Sequence, residues 1–170
     1  IKGLDVVGFN YIVQNDVDNR KKANPTWRIV GTEETTGCGT RGWYFNLSEY
    51  PGRMVSLNRT MEQNYENIIE RGWKFYAERP WSAGLFYWTG FDYRGESNPM
   101  VFPATNSQFG VLDYCGFPKD EAFYLKSWWT KEPVLHILPH WNLDGHDGEK
   151  ISVWVYSNCE EVQLIVNGKK

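Results

Sequence analysis

Three short apolar runs, joined by connections too long for a hairpin, constrain the fold of this chain most. Residues 4–11, 27–30 and 83–88 are rich in β-branched and aromatic side chains, which is the composition of buried strands. The last run is apolar throughout and is therefore expected to be buried on both faces. The polar segment between the first two runs has the length of a crossover connection. The pattern predicts parallel strands.

Two helices are predicted between and after these strands. Thr60 and Gln63 have the spacing of a capping box, an apolar stripe of period near 3.6 follows them, and Pro80 ends the run, which predicts a helix over residues 58–78. A second helix is predicted over residues 118–129, with Pro118 in its first turn. Strand and helix thus alternate up to about residue 130, as in an α/β domain.

The pattern changes after residue 132. Residues 134–138, 151–156 and 162–166 alternate apolar and polar side chains and are separated by turns, which predicts antiparallel strands of a separate β domain. Asn167-Gly168 is a strong hairpin turn signal close to the last residue of the sequence. Three parallel strands and three sandwich strands fall short of complete domains, so these 170 residues are expected to be a piece of a larger protein.

Two carboxylates directly after the second apolar run are the first candidates for chemistry. Gly31 and Thr32 are expected to end that strand, which places Glu33 and Glu34 at its tip. Catalytic acids of α/β barrels lie at such tips, where a carboxylate can attack a sugar or act as a base. A helix cap or a solvated turn is the alternative. The glycine- and aromatic-rich residues 36–56 are predicted to form a long loop over this face.

Composition narrows the function classes. Nine Trp, ten Tyr and nine Phe in 170 residues fit a protein that stacks aromatic rings on sugars, although they fit a large aromatic core equally well. A net charge of −3 and the lack of a basic stripe disfavour nucleic acid as a partner. No apolar run approaches the length of a membrane span, so no membrane partner is expected. The three cysteines have no framework spacing and are expected to be free thiols.

Five short motifs occur together in this chain. They are residues 8–11 (GFNY), 31–33 (GTE), 88–96 (WTGFDYRGE), 107–110 (SQFG) and 116–120 (GFPKD). In this order and spacing the chain resembles glycoside hydrolase family 2, and within it the β-galactosidase-like enzymes. The resemblance implies that residues 1–132 are the C-terminal part of a (β/α)8 TIM barrel. It implies that residues 133–170 begin an immunoglobulin-like sandwich.

The resemblance also implies site residues and a reaction. The family hydrolyses terminal β-glycosides with retention, using two Glu side chains and no cofactor. Glu33 matches the nucleophile and Tyr11 the tyrosine that hydrogen-bonds it, whereas Trp88 and Phe109 match aromatic residues of the sugar pocket. Polar residues at the same strand tips are further substrate-binding candidates, with loop caps as the alternative: Asn10, Asp92 and Glu96. Glu34 is the rival nucleophile, but one step along a strand turns its side chain away.

Departures from the family pattern refine this expectation. The family's acid/base Glu would precede Ile1, so it is expected from the rest of the parent polypeptide. Thr36 stands where some β-galactosidases of the family carry His. Residues 107–109 (SQF) replace the Asn-x-Lys with which family β-glucuronidases bind a sugar carboxylate, so a uronic acid is disfavoured and a β-galactoside is favoured. The expected partners are this carbohydrate, the remaining polypeptide and, as an open alternative, a second copy of the chain.

Two further patterns in the sequence suggest metal sites. His136, His140 and His146 suggest a metal site, but Pro139 interrupts them and no further ligand completes a tetrahedral set. The acidic, glycine-rich residues 144–149 lack EF-hand spacing and are expected to form a hairpin loop.

A non-catalytic carbohydrate-binding or interaction module is the alternative function, because this sequence contributes one of the two carboxyl groups that retention requires. Residues 1–170 on their own are expected to be insoluble or molten, and inactive, because their sheet edges would be open. The compartment stays open, although a periplasmic or extracellular one is favoured over the cytoplasm.

Overall fold

A parallel sheet organises the first half of the protein. The computed structural model describes residues 3–35, 39–44, 68–98 and 101–170. Three strands form the sheet in the order β1-β2-β3: Val7–Asn10 (β1), Ile29–Glu34 (β2) and Ser82–Tyr87 (β3). Both neighbouring pairs are parallel, which confirms the predicted parallel α/β arrangement for these strands.

Helices lie in the connections between these strands. A 3₁₀ turn, Ile12–Gln14, and a helix, Val17–Ala23 (α1), join β1 to β2, where the sequence indicated only a polar crossover. The helix predicted over residues 58–78 is described as Ile68–Ala77 (α2). The rest of that prediction, including Thr60 and Gln63, lies outside the described residues, as does most of the predicted loop over residues 36–56.

One face of the sheet is covered by these connections. Ile12, Val17, Ile29 and Tyr76 are buried together, so the 3₁₀ turn and both helices pack on β2. Gly31 allows the close approach of α2, because a Cβ at this position would lie 1.9 Å from the Tyr76 hydroxyl oxygen. The central strand of the sheet, β2, is therefore the one on which these connections pack.

Two expectations about the strands were wrong. β2 continues through Glu34 rather than ending at Gly31, because β1 and β3 pair with its last residues: Asn10 lies opposite Glu33, and Tyr87 lies opposite Glu34. β3 is not buried on both faces, since 66% of Phe86 is exposed and no described element covers that side. A run that is apolar throughout therefore does not show by itself how many layers cover it.

A folded loop region follows β3. It contains a short antiparallel pair, Tyr93–Arg94 (β4) and Asn106–Ser107 (β5). The backbone N–H of Asp92 donates to the Leu112 carbonyl over 3.0 Å. Backbone hydrogen bonds therefore join the two sides of the loop outside β4 and β5 as well. Gly110 makes the pairing possible, because a Cβ there would lie 2.2 Å from the Asp92 nitrogen.

The next helix begins two residues later than predicted. It spans Asp120–Trp129 (α3), and Lys119 before it is extended, so Pro118 is not in its first turn. The reason is that Lys119 is held outside the helix: its N–H donates to the Val111 carbonyl over 2.9 Å and its ammonium is buried in the loop region.

An antiparallel hairpin completes the described structure. Leu135–Leu138 (β6) pairs with Trp154–Ser157 (β7), which confirms the antiparallel prediction for two of the three expected strands. The third, over residues 162–166, was wrong within the described structure, because it finds no partner strand there. Only the predicted Asn167-Gly168 turn forms, closed by hydrogen bonds between Val166 and Lys169.

The hairpin packs on the helices. Leu138 and Tyr156 are buried against Tyr124 and Leu125 of α3 and against Ile69 of α2. The Tyr156 hydroxyl donates to the buried carboxylate of Glu70 over 2.7 Å. The boundary predicted at residues 132 and 133 thus lies between elements that share a core, and it stays a prediction.

None of the helices described is long and apolar enough to cross a lipid bilayer.

Candidate active site

The end of β2 presents two adjacent carboxylates to different surroundings. Glu33 is half-buried, whereas Glu34 is 2% exposed. Successive residues of a strand point to opposite faces, so packing against the helix side of the sheet leaves Glu33 as the accessible acid. This difference in exposure favours Glu33 over Glu34 as the candidate nucleophile.

Side chains at the end of β1 and directly after it hold the Glu33 carboxylate. The Tyr11 hydroxyl donates to Oε1 over 2.6 Å, and the Asn10 amide donates to Oε2 over 3.3 Å. The Thr32 hydroxyl donates to the Asn10 side-chain oxygen over 2.8 Å, which fixes which way that amide faces. The site thus presents an oriented carboxylate at a strand tip.

The sequence predicted three members of this group and missed the fourth. Asn10, Tyr11 and Glu33 are brought together as expected, because β1 and β2 are parallel neighbours. Thr32 was missed. It was interpreted as the end of a strand, and its contact with Asn10 depends on the irregular register at Phe9 and Asn10, for which the sequence has no signal.

Glu34 is anchored on the other side of the strand. Its carboxylate accepts the backbone N–H of Ile12 and lies beside the Tyr76 hydroxyl. Burial raises the pKa of Glu34, and the hydrogen bond from Ile12 opposes that rise. Glu34 is therefore tied to the turn that follows Tyr11.

Trp88 follows β3, the strand next to β2. Its backbone N–H donates to the Glu34 carbonyl over 2.9 Å, and the peptide bond that follows it is cis. The indole is 39% exposed and meets the Tyr93 ring edge-on, with centroids 6.2 Å apart. Trp88 thus lies at the tip of the adjacent strand with accessible aromatic surface, as a pocket wall requires.

Asp92 lies in a buried ion pair. Its carboxylate is 2.7 Å from the Lys119 ammonium and accepts the Gly110 N–H over 3.0 Å. Burial raises the pKa of Asp92 although Lys119 opposes that rise. Lys119 also donates to the Gln108 carbonyl over 2.9 Å, so the pair joins both sides of the loop region. This geometry favours a structural role, and the assignment of Asp92 to sugar binding stays a prediction.

Phe109 and Glu96, the other two substrate-binding candidates, differ in their exposure to solvent. Phe109 is 6% exposed, and its carbonyl accepts the Thr89 N–H over 3.5 Å, next to Trp88. Glu96 is exposed, and no contact in the described residues joins it to Glu33. Both substrate-binding assignments therefore stay predictions. Lys119 is the member of this region that the sequence missed, although it stands within one of the motifs.

The histidines are engaged in protein contacts. His136 lies 2.6 Å from Asp120 and stacks on Phe123, and His140 contacts the Gly42 carbonyl over 3.0 Å. His146 lies 2.9 Å from Glu149. In the part of the chain that the structure describes, no cluster of three His, Cys, Asp or Glu side chains could hold a metal ion.

Comparisons with known proteins identify relatives of this chain. The chain is 36% identical over 98% of its length to a β-galactosidase of Bacteroides ovatus (BoGH2A), of which it covers 21%. It is 34% identical over 84% of its length to a putative β-glucuronidase of Formosa agariphila, of which it covers 15%. The chain therefore spans only about a fifth or less of the length of these curated relatives.

Solved structures of glycosidases are also similar to this chain. A β-glycosidase from Bacteroides vulgatus superposes with a TM-score of 0.74 at 28% identity, covering 92% of this chain and 24% of that one. A glycosyl hydrolase family 2 member from Bacteroides cellulosilyticus superposes with a TM-score of 0.66 at 26% identity, covering 98% of this chain and 22% of that one. The chain belongs to glycoside hydrolase family 2. Residues 148–170 of this family 2 chain also match a domain of unknown function, DUF4982.

Proposed function

We propose that this chain is part of a retaining β-glycosidase whose nucleophile is Glu33. The observation that carries the proposal is the Glu33 carboxylate at the tip of a parallel strand, held by Tyr11 and Asn10. Residues 1–132 are assigned to the C-terminal part of a TIM barrel and residues 133–170 to the start of an immunoglobulin-like domain. The parallel sheet, the antiparallel hairpin and the family membership support this assignment.

In the proposed reaction Glu33 attacks the anomeric carbon of a terminal β-glycoside. The bond from that carbon to the leaving oxygen breaks, and a second carboxylic acid, expected from the rest of the polypeptide, gives its proton to that oxygen. Water then displaces Glu33 with return of a proton to the second acid, so the anomeric configuration is retained. The hydrogen bonds from Tyr11 and Asn10 hold Glu33 in the orientation for attack.

A β-galactoside is the proposed substrate, supported by the β-galactosidase relative and by the lack of a cation in residues 107–109. A β-glucuronide is the second candidate, because several curated relatives are named β-glucuronidases, one of them 42% identical over 77% of this chain. Lys119 lies close to Gln108, but its ammonium is buried and paired with Asp92, which disfavours its use as a ligand for a sugar carboxylate.

The test is hydrolysis by the full-length protein that contains these residues. Aryl β-galactoside and aryl β-glucuronide are compared, with the aryl α-galactoside as the control. We expect the protein to hydrolyse one of the two β-glycosides, and we expect the β-galactoside rather than the β-glucuronide. Nuclear magnetic resonance spectra should show the β anomer of the sugar as the first product. An α anomer would contradict the double displacement. Sugar binding without hydrolysis would favour the carbohydrate-binding alternative.

A further inference from the structure

Tyr11, whose hydroxyl donates to Glu33, has an unusual backbone conformation. Tyr11 has φ 52° and ψ 60°, in the left-handed region that residues other than glycine adopt rarely. Such a conformation persists only where its surroundings hold it in place. The position of the Tyr11 hydroxyl, 2.6 Å from Glu33, depends on this turn, because rotating φ or ψ would swing the side chain away from β2.

The side chain of Asn15 holds the turn. Its Nδ2 donates to the Asn10 carbonyl over 2.6 Å and to the Tyr11 carbonyl over 3.0 Å. These carbonyls belong to the peptide units on either side of the Tyr11 Cα, and φ and ψ of Tyr11 set their relative orientation. A single amide group that bonds both carbonyls therefore fixes both angles.

Backbone contacts on β2 complete the arrangement. The Tyr11 N–H donates to the Glu33 carbonyl over 2.8 Å, and the Ile12 N–H donates to the buried Glu34 carboxylate. The turn is thus attached to β2 before and after Tyr11, and Asn15 bridges it from the solvent side. Asn15 itself is exposed and does not touch the Glu33 side chain.

We infer that Asn15 is a positioning residue, which acts on the reaction by holding Tyr11 in the left-handed conformation that aims its hydroxyl at Glu33. The inference rests on the proposed role of Glu33. If Asn15 only stabilised the turn, its loss would change the stability of the protein and not the rate of attack. If it acts through Tyr11, its effect on the rate must require the Tyr11 hydroxyl.

A double-mutant cycle in the full-length protein separates these possibilities. Asn15→Ala should lower kcat/KM by about tenfold, the equivalent of losing a hydrogen bond, with KM nearly unchanged. The substrate is whichever aryl β-glycoside the wild-type protein hydrolyses. In the Tyr11→Phe background the same substitution should change the rate less than about twofold. An equal loss in both backgrounds, or no loss in either, would overturn the inference.

Two further measurements keep the result interpretable. Asn19→Ala is the matched control, because among the described residues the Asn19 amide donates only to the exposed Asp16 carboxylate nearby. The rate of this variant should equal that of the wild type. A crystal structure of the Asn15→Ala protein should show the Tyr11 hydroxyl beyond hydrogen-bonding distance from Glu33. An unchanged Tyr11 would refute the inference even in an inactive protein, whereas wild-type inactivity alone would refute only the proposed function.

Discussion

At the scale of single residues, Glu33 and Glu34 show how one strand gives adjacent acids different chemistry. Glu33 accepts hydrogen bonds from side chains at a partly open strand tip, whereas Glu34 is enclosed by the helix side of the sheet. Desolvation penalises a charged carboxylate, so an enclosed acid tends towards the neutral form. Ile29 and Gly31 already face the helices, so regular alternation would turn Glu33 towards them. It is the irregular register between Gly31 and Glu34 that turns Glu34 there instead.

The surroundings of Glu34 lead to a prediction for stability. Since burial raises the pKa of Glu34, the folded protein binds its proton more readily than the unfolded chain, and this site's contribution to stability falls as the pH rises through the raised pKa. Glu34→Gln keeps an acceptor for the Ile12 N–H without the charge. Its free energy of unfolding should therefore exceed the wild-type value at pH 7, and the difference should shrink towards pH 5.

Urea denaturation of the full-length proteins at the two pH values measures this difference. The control is Glu161→Gln, at an exposed position, which should leave stability unchanged at both. A Glu34→Gln protein that is less stable than the wild type at pH 7 would show that the ionised carboxylate is stabilising.

Sequence reasoning reaches some of these residues and not others. Tyr11 and Glu33 follow apolar runs whose tips meet in any parallel sheet, so their proximity could be predicted. The contacts of Thr32 and Asn15 depend on local register and on a left-handed turn, which carry no periodic signal. The ion pair of Lys119 joins residues far apart in the sequence and requires the folded loop.

At the scale of elements, the loop region after β3 depends on backbone contact at Gly110. A Cβ there would lie 2.2 Å from both the Asp92 nitrogen and the Phe91 carbonyl carbon, neither of which can rotate away. Gly110→Ala should therefore destabilise the protein by about 1–3 kcal/mol, the usual cost of overpacking. It should also lower activity, because this loop carries Asp92 and Phe109 next to Trp88.

Gly90→Ala is the matched control in the same loop, since a Cβ at Gly90 would have no atom within 4 Å. The melting temperatures of both full-length variants test this prediction, and that of Gly110→Ala should be the lower of the two. Equal melting temperatures for the two proteins would mean that the loop does not depend on the approach at Gly110.

The limits of the sequence at this scale have physical causes. The order of strands and helices was predictable from periodicity, whereas element ends were set by neighbours. β2 runs on to Glu34 because β1 and β3 pair with it, and α3 starts late because Lys119 is bound elsewhere. The strand expected over residues 162–166 lacks a described partner, and an alternating pattern does not supply one.

At the scale of the whole molecule, the described elements combine a parallel sheet and an antiparallel hairpin through the helices between them. Ile69 of α2 and Tyr124 of α3 are buried in the same cluster as Tyr156 of the hairpin. Apolar side chains such as Phe86 and Ile165 stay exposed on the outer faces, which are surfaces suited to further layers of structure. The family relatives, several times longer than this chain, have the residues to supply such layers.

The central claim is that Glu33 is the nucleophile, and covalent labelling of the full-length protein tests it most directly. A 2-deoxy-2-fluoro β-galactoside, and in parallel the corresponding glucuronide, should leave a glycosyl ester that mass spectrometry detects. Trypsin should release residues 29–41, which contain both acids, so fragmentation must locate the adduct. We predict that one reagent labels Glu33 and that Glu33→Gln abolishes both labelling and turnover. An adduct on Glu34, or full turnover by the Glu33→Gln protein, would contradict the account.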